Sequence, residues 1–469
     1  MKVLSLFDGM ACGMLAMQKA GIEVERYVAY EIDKYAVQTS SHNFPVIEHR
    51  GDVFEADFTE FAGFDFLLGG SPCTYWSIAQ TNNRETEASG MGWELFSQYV
   101  RALHEARPKF FVYENNKSMS KAIRASIDEA FGFEAICINS ALVSAQNRQR
   151  LYWVGKRNED GTYSKVDIEQ PKDLGVLLKD VLDGNPCNPS DTGKARTIHV
   201  YSENNNKQQH DYVANPVLVG EAPGHNGNYR NGKQACQQYR CYSTDGKSVS
   251  LCGNGGGGGA KTGLYAIPVE CKTIERAIPE IAEKYGYIPE MFNAYNRAEI
   301  TDKAPTLSTG SMVTSSCAVN RFECLRGFAA PCEWDESGKP FKAISGGDGK
   351  TYDVYEVKDG YITIKGKRYA IKLADGFYII RKLTVRECMR LQTVPEWYEF
   401  PVSDAQAYKM LGNGWTVDVI AHLLRGVQSS RRCGSVDPTR PTAKRVSVRK
   451  VVSKRWTLPT LSAPAERTR

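Results

Sequence analysis

The chain has 469 residues, 42% hydrophobic and 24% charged, with a formal net charge of +5; this is the composition of globular domains, not of disordered or fibrous chains. No run approaches the roughly 18 apolar residues of a membrane helix, and the opening Met1-Lys2-Val3-Leu4-Ser5-Leu6-Phe7 enters a strand pattern without the build of a signal peptide. The basicity is local: residues 429–469 hold eleven Lys/Arg and two Asp/Glu, so the first 428 carry 48 basic against 52 acidic side chains, a net −4.

Thirteen scattered cysteines, without paired C-x-x-C knuckles, argue for reduced thiols in a cytosol and against structural zinc. The length exceeds one ordinary core and predicts more than one domain.

From 1 to about 157 short apolar runs alternate with helical patterns. Segments 3–7, 26–31, 64–68, 110–114, 135–138 and 151–154 read as strands, and 13–20, 93–105 and 117–130 read as helices. The alternation predicts an α/β domain with a doubly wound, mostly parallel sheet. From 158 to about 380 Asn, Gly, Gln and Tyr rise, and helical periodicity fades apart from 272–284, which predicts a β-rich insert. Asp359-Gly360 and Asp375-Gly376 are hairpin signals there. The stretch 242–251 weakly resembles 299–307, as an internal duplication would. Helical patterns return at 384–391, 405–411 and 417–424. After 424 the pattern stops, and the basic tail, rich in Pro, Ser and Thr, reads as disordered.

The chemistry lies at the strand ends. In Phe7-Asp8-Gly9-Met10-Ala11-Cys12-Gly13 a glycine turn joins the first strand to the first helix, where backbone can approach a polar ligand closely. Glu31 ends the second strand, placed for ribose hydroxyls, and Gly51-Asp52-Val53 follows the third, suited to an adenine amino group. Together they favour a nucleoside-containing cofactor over three solvated loops. The absence of G-x-G-x-x-G and of a P-loop argues against NAD and ATP.

Ser71-Pro72-Cys73-Thr74 closes the run 64–70 and delivers a thiol at a strand's carboxyl end, with Ser77 four residues on. That makes Cys73 a candidate nucleophile. Glu114 ends the strand at 110–114, where a dry pocket would raise its pKa and let it hydrogen-bond a ring nitrogen. Gln146-Asn147-Arg148-Gln149-Arg150 offers fixed cations for a phosphate or a base. The polar segment 74–93, with Gly90 and Gly92, reads as a lid over the site.

This ordered set resembles the cytosine carbon-5 DNA methyltransferases. Phe7-x-Gly9, Glu31, Asp52, Pro72-Cys73, Glu114-Asn115 and Gln146-x-Arg148-x-Arg150 look like the family's successive amino-terminal motifs. Arg381-x-Leu383-Thr384-x-Arg386-Glu387-x-x-Arg390-Leu391-Gln392 looks like the helix supporting its target-recognition domain, and Leu411-Gly412-Asn413-Gly414-Trp415 like the closing motif that returns to the cofactor. Phe-Asp-Gly and Ser-Pro-Cys are closer to the animal de novo enzymes than to the usual bacterial forms; Ala11 stands for a common glycine and Asn116 for a common valine.

The resemblance implies a Rossmann-like methyltransferase sheet with a β-rich target-recognition insert. The expected divisions are 1–157 for catalysis and S-adenosylmethionine binding, 158–380 for target recognition, 381–426 for helices returning to the catalytic domain, and 427–469 for a disordered basic tail. It also implies base flipping in duplex DNA, attack of Cys73 on cytosine carbon 6, Glu114 on the ring nitrogen and exocyclic amine, and Arg148 and Arg150 positioning the base. S-adenosylmethionine would meet Phe7, Asp8, Gly9, Met10, Glu31, Ile32, Asp52, Val53, Asn413, Gly414 and Trp415. The expected setting is a cytoplasmic monomer on double-stranded DNA, off the membrane, with a cognate restriction endonuclease as candidate partner. Gly255–Gly259 would be a floppy loop. A thymidylate-synthase-like enzyme, an RNA cytosine methyltransferase and an inactive DNA-binding protein remain as alternatives; the first has no use for the nucleoside-binding set, and the last would usually have lost Cys73 or Glu114.

Overall fold

The computed structural model describes residues 1–77, 84–182, 240–251, 351–364 and 366–433, with shorter pieces between 218 and 344. Its centre is an eight-stranded sheet. The strands are β1 (Lys2–Leu6), β2 (Arg26–Tyr30), β3 (Ile47–His49), β4 (Phe66–Gly69), β5 (Phe110–Asn116), β6 (Ile136–Asn139), β7 (Gln149–Arg157) and β8 (Tyr163–Lys165), in the order β3-β2-β1-β4-β5-β7-β6 with β8 on β7. Pairing is parallel from β3 to β5, whereas β7 runs antiparallel to β5, β6 and β8. The strand order reverses direction between β1 and β4, and their carboxyl ends border the crevice in which open α/β sheets bind ligands.

Both faces of the sheet are buried, and successive residues alternate between two cores. Val3, Phe66, Leu68, Phe110, Val112 and Val154 join one core, while Leu4, Leu67, Phe111, Tyr113 and Trp153 join the other. The first core is capped by α1 (Cys12–Lys19) and by a helix from the far end of the chain. The second is capped by α3 (Gly90–Ala106) and α4 (Lys121–Phe131). A strand buried on both faces reads as a continuous apolar run, which is why these strands were legible. The helix α2 (Lys34–Asn43) had no such signal: mostly polar, it is started by Asp33, whose carboxylate accepts from the Tyr35 N–H at 3.0 Å.

The insert forms a second sheet in the order 332–334, 340–344, 351–358, 376–381, 264–268, 240–243, 218–221, mostly antiparallel, with 240–243 parallel to 264–268. Asp359-Gly360 makes the expected two-residue hairpin, both residues at positive φ (53° and 75°). Asp375-Gly376 does not make one. The strand Gly376–Arg381 crosses to pair with Thr351–Lys358 and Leu264–Pro268, leaving Lys367–Ala370 on its hairpin partner Tyr361–Ile364. Of the expected helix at 272–284, only 280 and 282–284 are described, as helical, and most of the second half of the 242–251/299–307 duplication lies outside the described residues, as does Gly255–Gly259.

The chain returns through α5 (Val385–Leu391), α6 (Asp404–Asn413) and α7 (Val417–Cys433). The last corrects the expectation that helix ends near 424 and tail begins at 427. Val427 is fully buried in the first core, so packing carries the helix on into the polar Gln428–Arg432 stretch. Residues 434–469 lie outside the described residues. The start of α5 is a capping box: Thr384 Oγ1 accepts from the Glu387 N–H, and Glu387 accepts from the Thr384 N–H. Arg381 closes on Glu387 with two bonds of 2.8 and 2.6 Å, both side chains buried. The last strand of the insert is thereby fastened to the first returning helix.

Candidate active site

Cys73 stands just past β4, and small residues put it there. A side chain at Gly69 would meet the Tyr99 ring at 2.8 Å and the Leu6 carbonyl at 2.9 Å; one at Gly70 would meet the Glu114 carbonyl at 2.8 Å. Both glycines are demanded by space. Ser71 is then fixed through its hydroxyl to Tyr113 Oη (2.6 Å) and through its carbonyl, which accepts from Asn115 Nδ2 (3.1 Å). Pro72 leads into a single 3₁₀ turn, Cys73–Tyr75, in which the Cys73 carbonyl accepts from the Trp76 and Ser77 N–H groups. Cys73 is partly exposed, whereas Cys12, Cys241 and Cys388 are buried. Burial pushes the Cys12 thiol up to about 12, so this neighbour of the site is not a competing nucleophile.

Glu114 lies on β5 next to the strand that delivers Cys73: Gly69 pairs with Tyr113 in register, and the missing Cβ of Gly70 would sit 3.0 Å from Glu114 Oε2. Its carboxylate is bracketed, with Arg150 Nε 3.2 Å from Oε1 and Trp415 Nε1 donating to Oε2 at 2.9 Å. Burial raises its pKa, and Arg150, Arg148 and the indole N–H pull it partly back. Arg148 behaves differently from the expectation that both arginines face the base. It is buried, with Nη2 donating to the Gly412 and Gly414 carbonyls (3.0 and 2.9 Å) and Nη1 to the Leu251 carbonyl (3.0 Å). Burial and the nearby Arg150 lower its pKa to about 10. The split follows from position: Arg150 lies within β7, diagonal to Glu114 across the β5–β7 pair, whereas Arg148 precedes the strand and ties the insert to the closing loop.

On the other side of the crevice the loop after β1 holds three left-handed residues in five: Phe7 (φ 57°), Gly9 (60°) and Ala11 (59°). Its shape is clamped from two sides. Glu31 accepts from the N–H groups of Gly9, Ile32 and Asp33, each at 2.8 Å. Asp8 Oδ1 accepts from Ser5 Oγ and Tyr27 Oη, each at 2.6 Å, while Asp8 Oδ2 is buried with no partner among the described residues. Burial pushes Asp8 up to about 6. Space is open above Gly9, where a Cβ would touch nothing within 4 Å. Ile32 is 74% exposed at the end of β2, and Asp52 accepts from the Phe54 N–H at 3.0 Å. The side chains of Met10 and Val53 are buried in the two cores, leaving only their backbone for a ligand, whereas Phe54, which the sequence did not single out, is 46% exposed.

The closing loop joins the two halves. Asn413 ends α6 exposed. The Gly414 carbonyl accepts from Arg148 and from Gln392 Nε2 (3.2 Å), and Gln392 also bonds the Leu411 carbonyl and the Thr416 hydroxyl. The segment after Cys73 is anchored at both ends: Trp76 Nε1 donates to Glu85 Oε2 (3.0 Å), which also accepts from the Gly92 N–H, and Arg84 donates to the Trp76 and Ser118 carbonyls. The middle of the expected lid, 78–83, is outside the described residues. Glu85 and Tyr27 gave no signal of their own in the sequence, and Gln392 appeared only as the end of a motif, because their partners are far along the chain or on another element.

Residues 1–429 match the family model described as C-5 cytosine-specific DNA methylase. The chain is 26% identical to the orphan methyltransferase M.SPRI of Bacillus phage SPR, over 91% of this chain and 97% of that protein. It is 24% identical to the type II methyltransferase M.BanI of Aneurinibacillus aneurinilyticus, over 90% and 94%. Among solved structures it is similar to the Dnmt2 methyltransferase of S. pombe, with a TM-score of 0.45 and 13% identity over 92% of this chain and 99% of that one.

Proposed function

Because the chain belongs to the C-5 cytosine-specific DNA methylase family, and so transfers a methyl group from S-adenosylmethionine to carbon 5 of cytosine in DNA, we propose that Cys73 is its nucleophile and Glu114 with Arg150 its base-holding pair. The observation that carries the reading is the adjacency of a partly exposed thiol at the end of β4 and a bracketed carboxylate on β5 whose side chain is only 12% exposed.

The crevice fits the methyl donor. Glu31 and Asp52 offer carboxylate oxygens with spare lone pairs, the loop of Phe7, Asp8, Gly9 and Met10 borders open space at Gly9, and Ile32 offers exposed apolar surface. Val53 contributes backbone, and Asn413 and Gly414 close the site. When bound, the donor supplies an electrophilic methyl group.

Cytosine carbon 5 is a weak nucleophile, and a duplex hides it, so the base is flipped out. Cys73, as thiolate, forms a bond to carbon 6, and the ring's electron pair becomes available at carbon 5. Glu114, its pKa raised by burial, takes up a proton, donates it in a hydrogen bond to the ring nitrogen where charge builds up, and accepts from the exocyclic amine. Arg150 fixes that carboxyl. After methylation the carbon 5 proton leaves to a base, the double bond re-forms, and the sulfur–carbon bond breaks. Arg148 acts at one remove, holding the loop 412–414 against the insert.

Residues 1–157 carry the chemistry, 158–380 the sequence recognition, and the returning helices brace both. We read the protein as a cytoplasmic monomer on duplex DNA. No described helix is long and apolar enough to cross a membrane. The similarity to type II enzymes supports a cognate restriction endonuclease as partner, while that to an orphan phage enzyme supports solitary action. The test is conversion-based sequencing of DNA from cells expressing the chain or Cys73→Ser. New carbon-5 methylation should appear with the first and vanish with the second, and 5-fluorocytosine DNA should trap a covalent adduct on Cys73. Methylation by Cys73→Ser at the wild-type level would overturn the assignment.

A further inference from the structure

We propose that Trp415 is a positioning residue of the base pocket, its indole N–H fixing the Glu114 carboxyl, and not a wall of the cofactor pocket. The inference rests on the assignment of Glu114 above. Trp415 is 301 residues from Glu114 in sequence, yet its Nε1 donates to Glu114 Oε2 at 2.9 Å. The indole reaches the seam between β4 and β5: a Cβ on Gly70 would lie 3.4 Å from Trp415 Nε1 and 3.0 Å from Glu114 Oε2. The carboxylates suited to a nucleoside, Glu31 and Asp52, follow β2 and β3, on the other side of β1 from that seam. The backbone behind the indole is also immobilised, since the Gly414 carbonyl accepts from both Arg148 and Gln392.

The chemistry of the donor matters. A carboxyl that must carry a proton while it holds the base needs orientation without excess positive charge. Arg150 already supplies one cation at Oε1. A second cation at Oε2 would favour the ionised form strongly, whereas a neutral N–H orients the group at a smaller cost to protonation. The groups facing Glu114 are Arg148 just before β7, Arg150 and Tyr152 on β7, Tyr113 beside it on β5, Cys12 on α1 and Trp415 itself. Among these, Trp415 is the neutral donor hydrogen-bonded to the carboxylate.

Trp415→Phe keeps the bulk and removes the N–H. It should lower kcat about tenfold, the scale of one lost hydrogen bond to a charged group, with the Kd for S-adenosylmethionine by calorimetry within about twofold of wild type. The alkaline limb of kcat, which tracks loss of the Glu114 proton, should move to higher pH, because the lost N–H favoured the ionised form. In a Glu114→Gln background Trp415→Phe should add little. A tenfold weaker cofactor Kd with wild-type kcat and pH limb would overturn the proposal. The unmutated indole provides a second reading: of the seven tryptophans, one indole N–H resonance should shift with pH and lose that response in Glu114→Gln. The Trp76 and Trp153 indoles donate to Glu85 and Asp128 and can respond to pH on their own account, so the contact is refuted, whether or not Trp415→Phe folds, if no indole resonance loses its pH response in Glu114→Gln. Failure of the wild-type enzyme to form a 5-fluorocytosine adduct would instead refute the base-pocket assignment.

Discussion

Asp8 sets up a measurable pH dependence of folding. Its carboxyl accepts from Ser5 and Tyr27 on one oxygen and has no partner on the other among the described residues, and burial lifts its pKa from 3.8 to about 6. A raised folded-state value means the native protein holds this proton more tightly than the unfolded chain. The associated stability is fully present below about pH 3.8 and is lost as pH rises through about 6. At 1.36 kcal/mol per pH unit the full loss by pH 7.5 is about 3 kcal/mol, of which roughly half returns at pH 5. Asp8→Asn keeps an acceptor for Ser5 and Tyr27 but cannot ionise. Urea unfolding of both proteins at pH 5 and pH 7.5 should show the wild type losing about 1.5 kcal/mol more than Asp8→Asn between the two. The comparison removes every titration the two proteins share. Parallel pH dependence would refute the reasoning, and a steeper loss in Asp8→Asn would reverse it.

Two further substitutions test the frame around the site. At Gly13 a Cβ would stand 2.5 Å from Tyr27 Oη and 3.1 Å from a Leu68 methyl, so Gly13→Ala should cost about 1–3 kcal/mol in thermal or urea melts and weaken cofactor binding by displacing the Tyr27–Asp8 contact; unchanged stability would show that Tyr27 has room to move. Removing one partner of the buried Arg381–Glu387 pair leaves an uncompensated charge, so Glu387→Ala should cost about 3–5 kcal/mol. Arg381→Met combined with Glu387→Ala should recover much of that loss, and a double variant as unstable as Glu387→Ala alone would contradict it.

How much of this was legible follows from what each feature depends on. Most strands of the first domain could be placed within a few residues because a sheet covered on both faces writes a continuous apolar run into the chain; the three-residue β3, Ile-Glu-His, writes no such run, and its bounds are not legible there. The polar groups at their ends then stand out: Glu31, Cys73 and Glu114 each follow such a run, and the parallel pairing from β3 to β5 sets those ends on one edge. The capping box at Thr384 and Glu387 was written in local spacing too. Features that depend on a distant partner were not legible. The helix at Val417–Cys433 outlasts its own apolar pattern, and Gly376–Arg381 pairs across the sheet instead of across the nearest turn signal.

The sequence by itself therefore determined the doubly wound domain, the β-rich insert and the order of chemical groups along the chain, because these rest on local periodicity and on the family's motif order. Only the tertiary structure decided what each polar side chain does. Arg148 and Arg150 are two residues apart and chemically alike, yet one is consumed by carbonyls of the insert and the closing loop while the other reaches Glu114. Trp415 and Glu114 are made neighbours by the returning helices alone. A buried donor or acceptor takes whatever partner the packed chain brings within hydrogen-bond reach, and that choice is fixed by three-dimensional packing.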